Sequence, residues 1–285
     1  NTVAESSTIS GTVNSVSIVD TAVVNFIPGS ASTAQSTITS SPSSVTANGV
    51  SSSVITVQAK DNQGNNLNSG GLTVTLNDNG SAVIGTVTDN GNGTYTASIT
   101  STVAETITVS GAFNAAALTD TAEISFNPGA ASTANTLITA SPSSVIANGV
   151  SISTITVQTK DTQDNNLTSG GNTIVLSASG DSLISSVNDV GNGTYTATVT
   201  NTSAETITIS GTLNGSSITN TDTITFTPGA ADASQSTISI APISTTADGL
   251  STALITVQVK DSQGNNLSVG GDAIVLSEDG NAVIG

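Results

Sequence analysis

Apolar and polar residues alternate along this chain in short stretches with a period of two. In residues 52–60 one set of alternating positions holds Ile55, Val57 and Ala59, and the other holds Thr56, Gln58 and Lys60. This period predicts a β-strand with one face packed on a core and the other face in water. No stretch has the spacing of an amphipathic helix, and the strand-favouring residues Val, Ile and Thr dominate, so we predict β-structure throughout.

The strand patterns and the turns between them predict a sandwich. Residues 31–130 give seven strands: A at 36–39, B at 52–60, C at 72–77, D at 82–88, E at 94–100, F around Ile107 and Val109, and G ending with Ile124 and Phe126. Pro42 should break strand A or move it to the other sheet. The run 89–93, Asp-Asn-Gly-Asn-Gly, predicts a tight hairpin because Asn and Gly accept positive φ. Seven short strands with turn signals favour an all-β fold, an antiparallel immunoglobulin-like β-sandwich.

The whole pattern recurs with a period of one hundred residues. Phe-x-Pro-Gly stands at 26–29, 126–129 and 226–229, and Lys-Asp stands at 60–61, 160–161 and 260–261. A fixed period of this length indicates tandem copies of one domain. We predict a linear array in which residues 1–30 form strands F and G of one repeat, 31–130 and 131–230 are complete repeats, and 231–285 form strands A to D of another. We also expect the native chain to continue in both directions.

Composition disfavours most kinds of chemistry. The 285 residues include no Cys, His, Met or Trp, which removes disulfides, thiolate or imidazole metal sites and most nucleophilic triads. We therefore predict no enzymatic activity and no cofactor. Twenty acidic residues against three lysines give a net charge of −17, which disfavours nucleic acid and direct contact with anionic membranes. Low charge density with abundant Ser, Thr, Asn and Gly is typical of secreted bacterial surface proteins.

Recurring Asp and Asn residues in one turn are candidates for calcium binding. They are Asp89, Asn90 and Asn92, with the counterparts Asp189 and Asn192. Calcium loops use alternating Asp and Asn oxygens, yet this turn offers one carboxylate where tight sites need several. The segment 128–132 between repeats also has no carboxylate. We predict plain turn chemistry with no metal site, and calcium remains the alternative.

Other noticeable residues have ordinary structural interpretations. Lys60, Lys160 and Lys260 lie on the polar face of strand B, without the burial that an isopeptide crosslink requires. Tyr95 and Tyr195 begin strand E on its apolar face, so we expect them to pack in the core. Asn-x-Ser/Thr triplets begin at Asn79, Asn92, Asn166 and Asn201, and the loop composition alone explains them.

Each repeat resembles a known family. The resemblance lies in the runs 41–49 (Ser-Pro-Ser-Ser-Val-Thr-Ala-Asn-Gly), 55–61 (Ile-Thr-Val-Gln-Ala-Lys-Asp), 88–97 (Thr-Asp-Asn-Gly-Asn-Gly-Thr-Tyr-Thr-Ala) and the closing 126–129 (Phe-Asn-Pro-Gly). These resemble the bacterial immunoglobulin-like domains (group 1) of the invasin/intimin group. The resemblance spans the repeat and returns in every copy. It implies an extracellular adhesin at the bacterial cell surface, in which such domains form a stalk.

We expect a structural stalk or spacer of a bacterial adhesin or extracellular fibre. Its partners are then the neighbouring repeats of the same chain and, in a fibre, other copies. Repeats that themselves bind glycans or calcium in multivalent adhesion are one alternative, and a filament joined by strand exchange is another. The short linkers containing Pro and Gly predict that neighbouring repeats touch, and strand length predicts an advance of about 35–45 Å per repeat.

Overall fold

A computed structural model describes every residue from Asn1 to Gly285. All of its regular elements are strands. None of its segments is a helix of the length and apolarity that crossing a membrane requires. By their internal contacts the residues divide into two units, 1–131 with 160–166 and 132–159 with 167–285.

The first unit contains two sheets in residues 31–130 and a smaller set of strands before them. Residues 1–30 form β1 (Ser6–Ile9), β2 (Thr12–Val13), β3 (Val16–Ser17) and β4 (Ala22–Asn25). Residues 31–130 form β5 (Thr37–Ser41), β6 (Ser44–Thr46), β7 (Ser53–Gln58), β8 (Val74–Asp78), β9 (Val83–Ile84), β10 (Thr88–Asp89), β11 (Thr94–Thr100), β12 (Thr106–Phe113), β13 (Ala116–Ala117) and β14 (Ala122–Asn127). One sheet has the order β10–β11–β7–β5 with β9 also on β11, and the other has the order β13–β12–β14–β6 with β8 also on β12. β1 pairs with β4, and β2 pairs with β3.

Residues 132–230, which belong to the second unit except for 160–166, repeat this arrangement. Their strands are β15 (Leu137–Ser141), β16 (Ser144–Ile146), β17 (Ser153–Gln158), β18 (Ile174–Ala178), β19 (Leu183–Ile184), β20 (Asn188–Asp189), β21 (Thr194–Thr200), β22 (Thr206–Leu213), β23 (Ser216–Ser217) and β24 (Asp222–Thr227), followed by β25 (Thr237–Ala241) and β26 (Leu254–Gln258). One sheet runs β15–β17–β21–β19 with β20 on β21, and the other runs β16–β24–β22–β18 with β23 on β22. The all-β prediction and the tandem immunoglobulin-like sandwiches are thereby confirmed.

The core of residues 31–130 is made by the inward positions of both sheets. Tyr95 lies opposite Val57 in one sheet, and Ile107 lies opposite Ile124 in the other. All four side chains are at most 1% exposed, because the period-two pattern turns every second residue inward. The inward residues predicted for strands B and E are all buried: Ile55, Val57, Ala59, Tyr95, Ala97 and Ile99.

The chain changes sheets where Pro42 predicted it would. β5 ends at Ser41 and pairs antiparallel with β7, whereas β6 begins at Ser44 and pairs with β14 in the other sheet. The pairing of β6 with β14 is parallel, as is that of β16 with β24, whereas all other strand pairs are antiparallel; the sequence pattern did not predict this. The chain on either side of Pro42 thus forms two short strands, β5 in one sheet and β6 in the other.

Two local features differ from the expected seven strands. Predicted strand D is two short strands, β9 and β10, both paired with β11. Between them Gly85 lies close against β11, where an added Cβ would be 2.7 Å from the hydroxyl of Ser98. The hairpin from β12 to β13 was also missed. Its turn residues Asn114 and Ala115 adopt positive φ (46° and 72°) without a glycine, although the counterpart turn between β22 and β23 holds the Asn-Gly signal at Asn214 and Gly215.

Residues 231–285 form fewer strands than expected. Strands A to D were predicted there, but only β25 and β26, the counterparts of A and B, are present. The reason is pairing. In residues 31–230 the strands at position C, β8 and β18, pair with β12 and β22. The short strands at position D, β9 and β10 with their counterparts β19 and β20, pair with β11 and β21. Residues 231–285 contain no counterpart of those partner strands, whereas A and B pair with each other.

Candidate functional site

The most elaborate polar arrangement is the Asp–Asn loop, which we define as residues 61–65 and the counterparts 161–165 and 261–265. In the first copy the Asp61 N–H donates to the Asn65 carbonyl oxygen at 2.9 Å. Oδ1 of Asp61 accepts the backbone N–H groups of Gln63 and Asn65, both at 2.9 Å. An Asp side chain bound to backbone groups two and four residues on fixes a turn locally.

The fourth position of the loop adopts a left-handed conformation in every copy. Gly64 has a φ of 84° and Gly264 a φ of 83°, and Asp164 adopts 69° at the same place. Asp is one of the few residues that tolerate this region. The Asp164 carboxylate also lies 3.0 Å from Nζ of Lys160 in an ion pair. The loop therefore keeps its shape when its glycine is replaced by Asp.

The side chains of Asp61 and Asn65 also form hydrogen bonds with the backbone of the preceding repeat. Oδ2 of Asp61 accepts the Gly29 N–H at 2.9 Å. Nδ2 of Asn65 donates to the Thr2 carbonyl oxygen at 2.9 Å, and Oδ1 of Asn65 accepts the Ala4 N–H at 3.0 Å. One side-chain amide thus pairs with the C=O and the N–H of residues two apart, as a residue in a parallel β-ladder does.

The same contacts recur in the other two copies, each set inside one unit. Asp161 accepts the Gly129 N–H at 2.8 Å, and Asn165 binds the Thr102 carbonyl at 2.9 Å and the Ala104 N–H at 2.8 Å. Asp261 accepts the Gly229 N–H at 2.8 Å, and Asn265 binds the Thr202 carbonyl at 2.9 Å and the Ala204 N–H at 2.8 Å. The arrangement is therefore a property of the repeat.

The junction between repeats consequently does contain a carboxylate. The segment 128–132 has none of its own, but the fold brings Asp161 to Gly129, 32 residues earlier in the chain. The sequence pattern places this loop between predicted strands B and C and does not predict this contact. The available signal was the spacing: Asp and Asn recur four residues apart in all three copies, while the position after each Asp changes from Asn62 to Thr162 to Ser262.

The loop carboxylates are buried and ionised. Asp61, Asp161 and Asp261 are 4%, 1% and 2% exposed. The Asn65 side chain and then the Gly29 N–H lower the pKa of Asp61 from 3.8 to about 2. For Asp161 and Asp261 burial acts most strongly and would raise the pKa. The hydrogen bonds from Asn165 or Asn265 and from the junction glycine outweigh it, so both pKa values are lowered.

Acid should weaken the protein through these carboxylates. A group whose pKa is lower in the folded chain contributes stability that is complete above its ordinary pKa and is lost as the pH falls toward the folded value. For Asp61 that window runs from 3.8 down to about 2. We expect Asp61→Asn to lower the melting temperature at neutral pH, and the difference from the unmodified chain to shrink as the pH falls through this window. Thermal melts across the window test this.

The exposed Asp20 provides the control for that experiment. Its carboxylate accepts one hydrogen bond, from the Thr21 N–H at 3.0 Å. Asp20→Asn should leave the melting temperature nearly unchanged at neutral pH. A constant difference between Asp61→Asn and the unmodified chain across the whole window would contradict the assignment.

The residues considered for calcium lie together in the hairpin between β10 and β11. Oδ2 of Asp89 accepts the Gly71 N–H at 2.7 Å and Oδ1 accepts the Gly91 N–H at 2.8 Å. Oδ1 of Asn92 accepts from Thr94, and Nδ2 of Asn90 donates to Thr94. Asp189 and Asn192 repeat these contacts. No three His, Cys, Asp or Glu residues cluster as a metal site would require. Calcium binding at the hairpin stays a hypothesis.

The remaining recurrent residues also have structural contacts. The Glu105 carboxylate accepts the Ser81 N–H at 2.7 Å. The Asn201 amide, and then the Asp181 N–H, lower the pKa of Glu205. Tyr95 and Tyr195 are each 1% exposed and accept backbone N–H groups through their hydroxyls, which confirms core packing and leaves no exposed tyrosine.

Comparison with known proteins gives one family and several similar structures. The model of the invasin domain 3 family matches residues 32–129, 132–229 and 232–285. The structure of InvD from Yersinia pseudotuberculosis is 29% identical, with a TM-score of 0.55, over 83% of this chain and 73% of InvD. The Escherichia coli adhesin FdeC is 24% identical, with a TM-score of 0.58, over 85% of this chain and 78% of FdeC.

Invasin, described as a bacterial integrin-binding protein, shares the fold at lower identity. It is 19% identical, with a TM-score of 0.54, and the match covers 91% of this chain and 62% of invasin. A comparison with curated protein sequences gave no match.

Proposed function

We propose that this chain, which belongs to the invasin domain 3 family, is part of the stalk of a bacterial surface adhesin or extracellular fibre. In this role the repeats hold a receptor-binding segment away from the cell and bind no receptor themselves. Family membership and the similarity to InvD and FdeC support an adhesin. The observation on which the spacer role rests is the Asp–Asn loop, whose buried Asp and half-buried Asn side chains bond to the repeat before it.

The chemistry of the surface supports a passive role. The net charge of −17 gives no basic surface for nucleic acid or anionic lipid. Both tyrosines are buried, so they offer no platform on which a sugar ring could stack. The proposed location is the outside of a bacterial cell, the proposed partners are neighbouring repeats, and no enzymatic activity is proposed.

Deleting one repeat in phase tests the spacer role. Removal of residues 31–130 joins residue 30 to residue 131, which is the counterpart of residue 31 one hundred residues on. The repeat that follows Gly29 therefore begins at the same distance from it as in the unmodified chain. If repeats act as length units, the largest dimension measured by small-angle scattering should fall by about 35–45 Å, the length of one strand layer with its linker. An unchanged dimension would contradict a spacer.

Direct binding is the competing outcome. The 1–285 chain, presented as a tetramer to raise its avidity, should give no saturable signal on a glycan array or on integrin-bearing cells. A receptor-binding adhesin serves as the positive control, and each assay is run with calcium and with chelator. Saturable binding by the repeats would replace the spacer with multivalent adhesion.

A further inference from the structure

We propose that the Asp–Asn loop is a one-sided recognition site through which each repeat binds the main chain of the repeat before it. The partner it fits is another copy of the repeat, placed directly upstream. This goes beyond a spacer role, since a spacer needs only covalent linkers. It assigns recognition to two side chains, Asp161 and Asn165, and to their counterparts.

All the side chains come from one partner and all the backbone groups from the other. Asp161 and Asn165 supply the carboxylate and the amide, and the preceding repeat supplies the Gly129 N–H, the Thr102 C=O and the Ala104 N–H. Such a site recognises the path of the main chain and not the side chains on it. Any copy that places these three peptide groups in the same way will therefore fit.

The junction glycine shows the same independence from side chains. A Cβ added to Gly129 would lie 3.6 Å from Oδ2 of Asp161, an ordinary van der Waals distance. Its φ is not in the left-handed region. What this position must supply is its N–H group, so alanine should be accepted there and proline should not.

Burial makes the recognition selective. Asp161 is 1% exposed, and besides Gly129 it accepts from Gln163 and from both the backbone and the amide of Asn165. A buried carboxylate that lost a donor without gaining water would be penalised. An upstream partner without an N–H at these positions should therefore bind less well.

Comparison of the three copies supports the division of roles. Asp and Asn occupy 61 and 65, 161 and 165, and 261 and 265, and Gln recurs at 63, 163 and 263, whereas position 64 varies between Gly and Asp. On the other side, the residue between the two paired peptide groups varies (Val3, Val103 or Ser203), while the paired residues are Thr and Ala in every copy, so the variant Thr102→Ala is needed to separate main chain from side chain. One side of the joint supplies side chains and the other side supplies backbone groups. Copies can therefore join only head to tail, in one polarity.

Hydrogen exchange in the 1–285 chain tests the proposal. Asn165→Ala should accelerate exchange at Ala104 by about tenfold, because that N–H loses its acceptor although it lies in the neighbouring repeat. The controls are Gln163→Ala, whose exposed side chain lies in the same loop, and Thr102→Ala, which alters only a side chain in the recognised segment between β11 and β12. Neither control should change exchange at Ala104. Peptides from β21 and β22 report whether the following repeat stays folded.

Each other outcome would overturn the proposal. Unchanged exchange at Ala104 in Asn165→Ala would show that the contact does not protect it. An equal effect from Thr102→Ala would show that side chains of the upstream repeat are recognised. Loss of protection throughout β21 and β22 would show that Asn165 serves its own repeat. None of these results depends on whether the repeats bind a receptor, which the glycan-array and cell-binding assays measure. Failure of the joint would leave those assays unchanged, although it would remove the joint as support for the spacer role.

Discussion

Gly93→Ala is expected to destabilise residues 31–130 by about 2–5 kcal/mol. Gly93 has a φ of 83°, and an added Cβ would overlap the carbonyl oxygen of Leu67. The positive φ costs an L-residue about 1–2 kcal/mol. The backbone shift needed to relieve the overlap adds about 1–3 kcal/mol. Pulse proteolysis in urea, with peptides identified by mass spectrometry, measures the free energy of unfolding of each repeat.

Gly91→Ala in the same hairpin is the matched control. Gly91 has a φ of 74°, but nothing lies within 4 Å of its added Cβ. Gly91→Ala should therefore lower the free energy of unfolding only by the cost of placing an L-residue at positive φ, about 1–2 kcal/mol. Equal losses from the two substitutions would contradict the close approach of the hairpin to Leu67. The pair Gly193→Ala and Gly191→Ala repeats the comparison in the second unit, because Gly193 meets Leu167 in the same way.

Phe126→Ala is expected to have the second large effect. Phe126 is 2% exposed and lies opposite Val45 on β6. Truncating a buried phenylalanine removes its transfer free energy and leaves a cavity, which together cost about 3–5 kcal/mol. The free energy of unfolding of residues 31–130, from the same proteolysis experiment, should fall by that amount.

Phe26→Ala is the control at the same position of the repeat. Phe26 is 36% exposed and follows β4, which pairs with β1. Its truncation should change the stability of residues 31–130 by less than about 0.5 kcal/mol. A loss comparable with that of Phe126→Ala would mean that residues 1–30 are part of the same cooperative core.

The strand pattern alone predicted much of the fold, because alternation and turn chemistry are local. Ile55 and Val57 are buried as expected, and Pro42 marks the passage between sheets. The hairpin at 89–93 follows from residues that tolerate positive φ. These features depend on neighbours only a few residues away.

The junction could not be predicted, because its contacts join residues far apart in sequence. Asn65 binds Thr2, 63 residues earlier, and Asp61 binds Gly29, 32 residues earlier. The parallel pairing of β6 with β14 is equally non-local. The pairing of strands C and D is non-local too, because in residues 31–230 they pair with β11, β12, β21 and β22.

The most direct test of the joint between repeats is to observe its hydrogen bond. A through-bond NMR correlation between the Gly129 backbone nitrogen and the Asp161 carboxylate carbon reports this bond specifically, since the N–H lies 2.8 Å from Oδ2. We expect this correlation in the 1–285 chain and expect Asp161→Ala to abolish it. Its absence from the unmodified chain, with the Gly129 amide exchanging as fast as an exposed one, would contradict a joint made by the Asp–Asn loop.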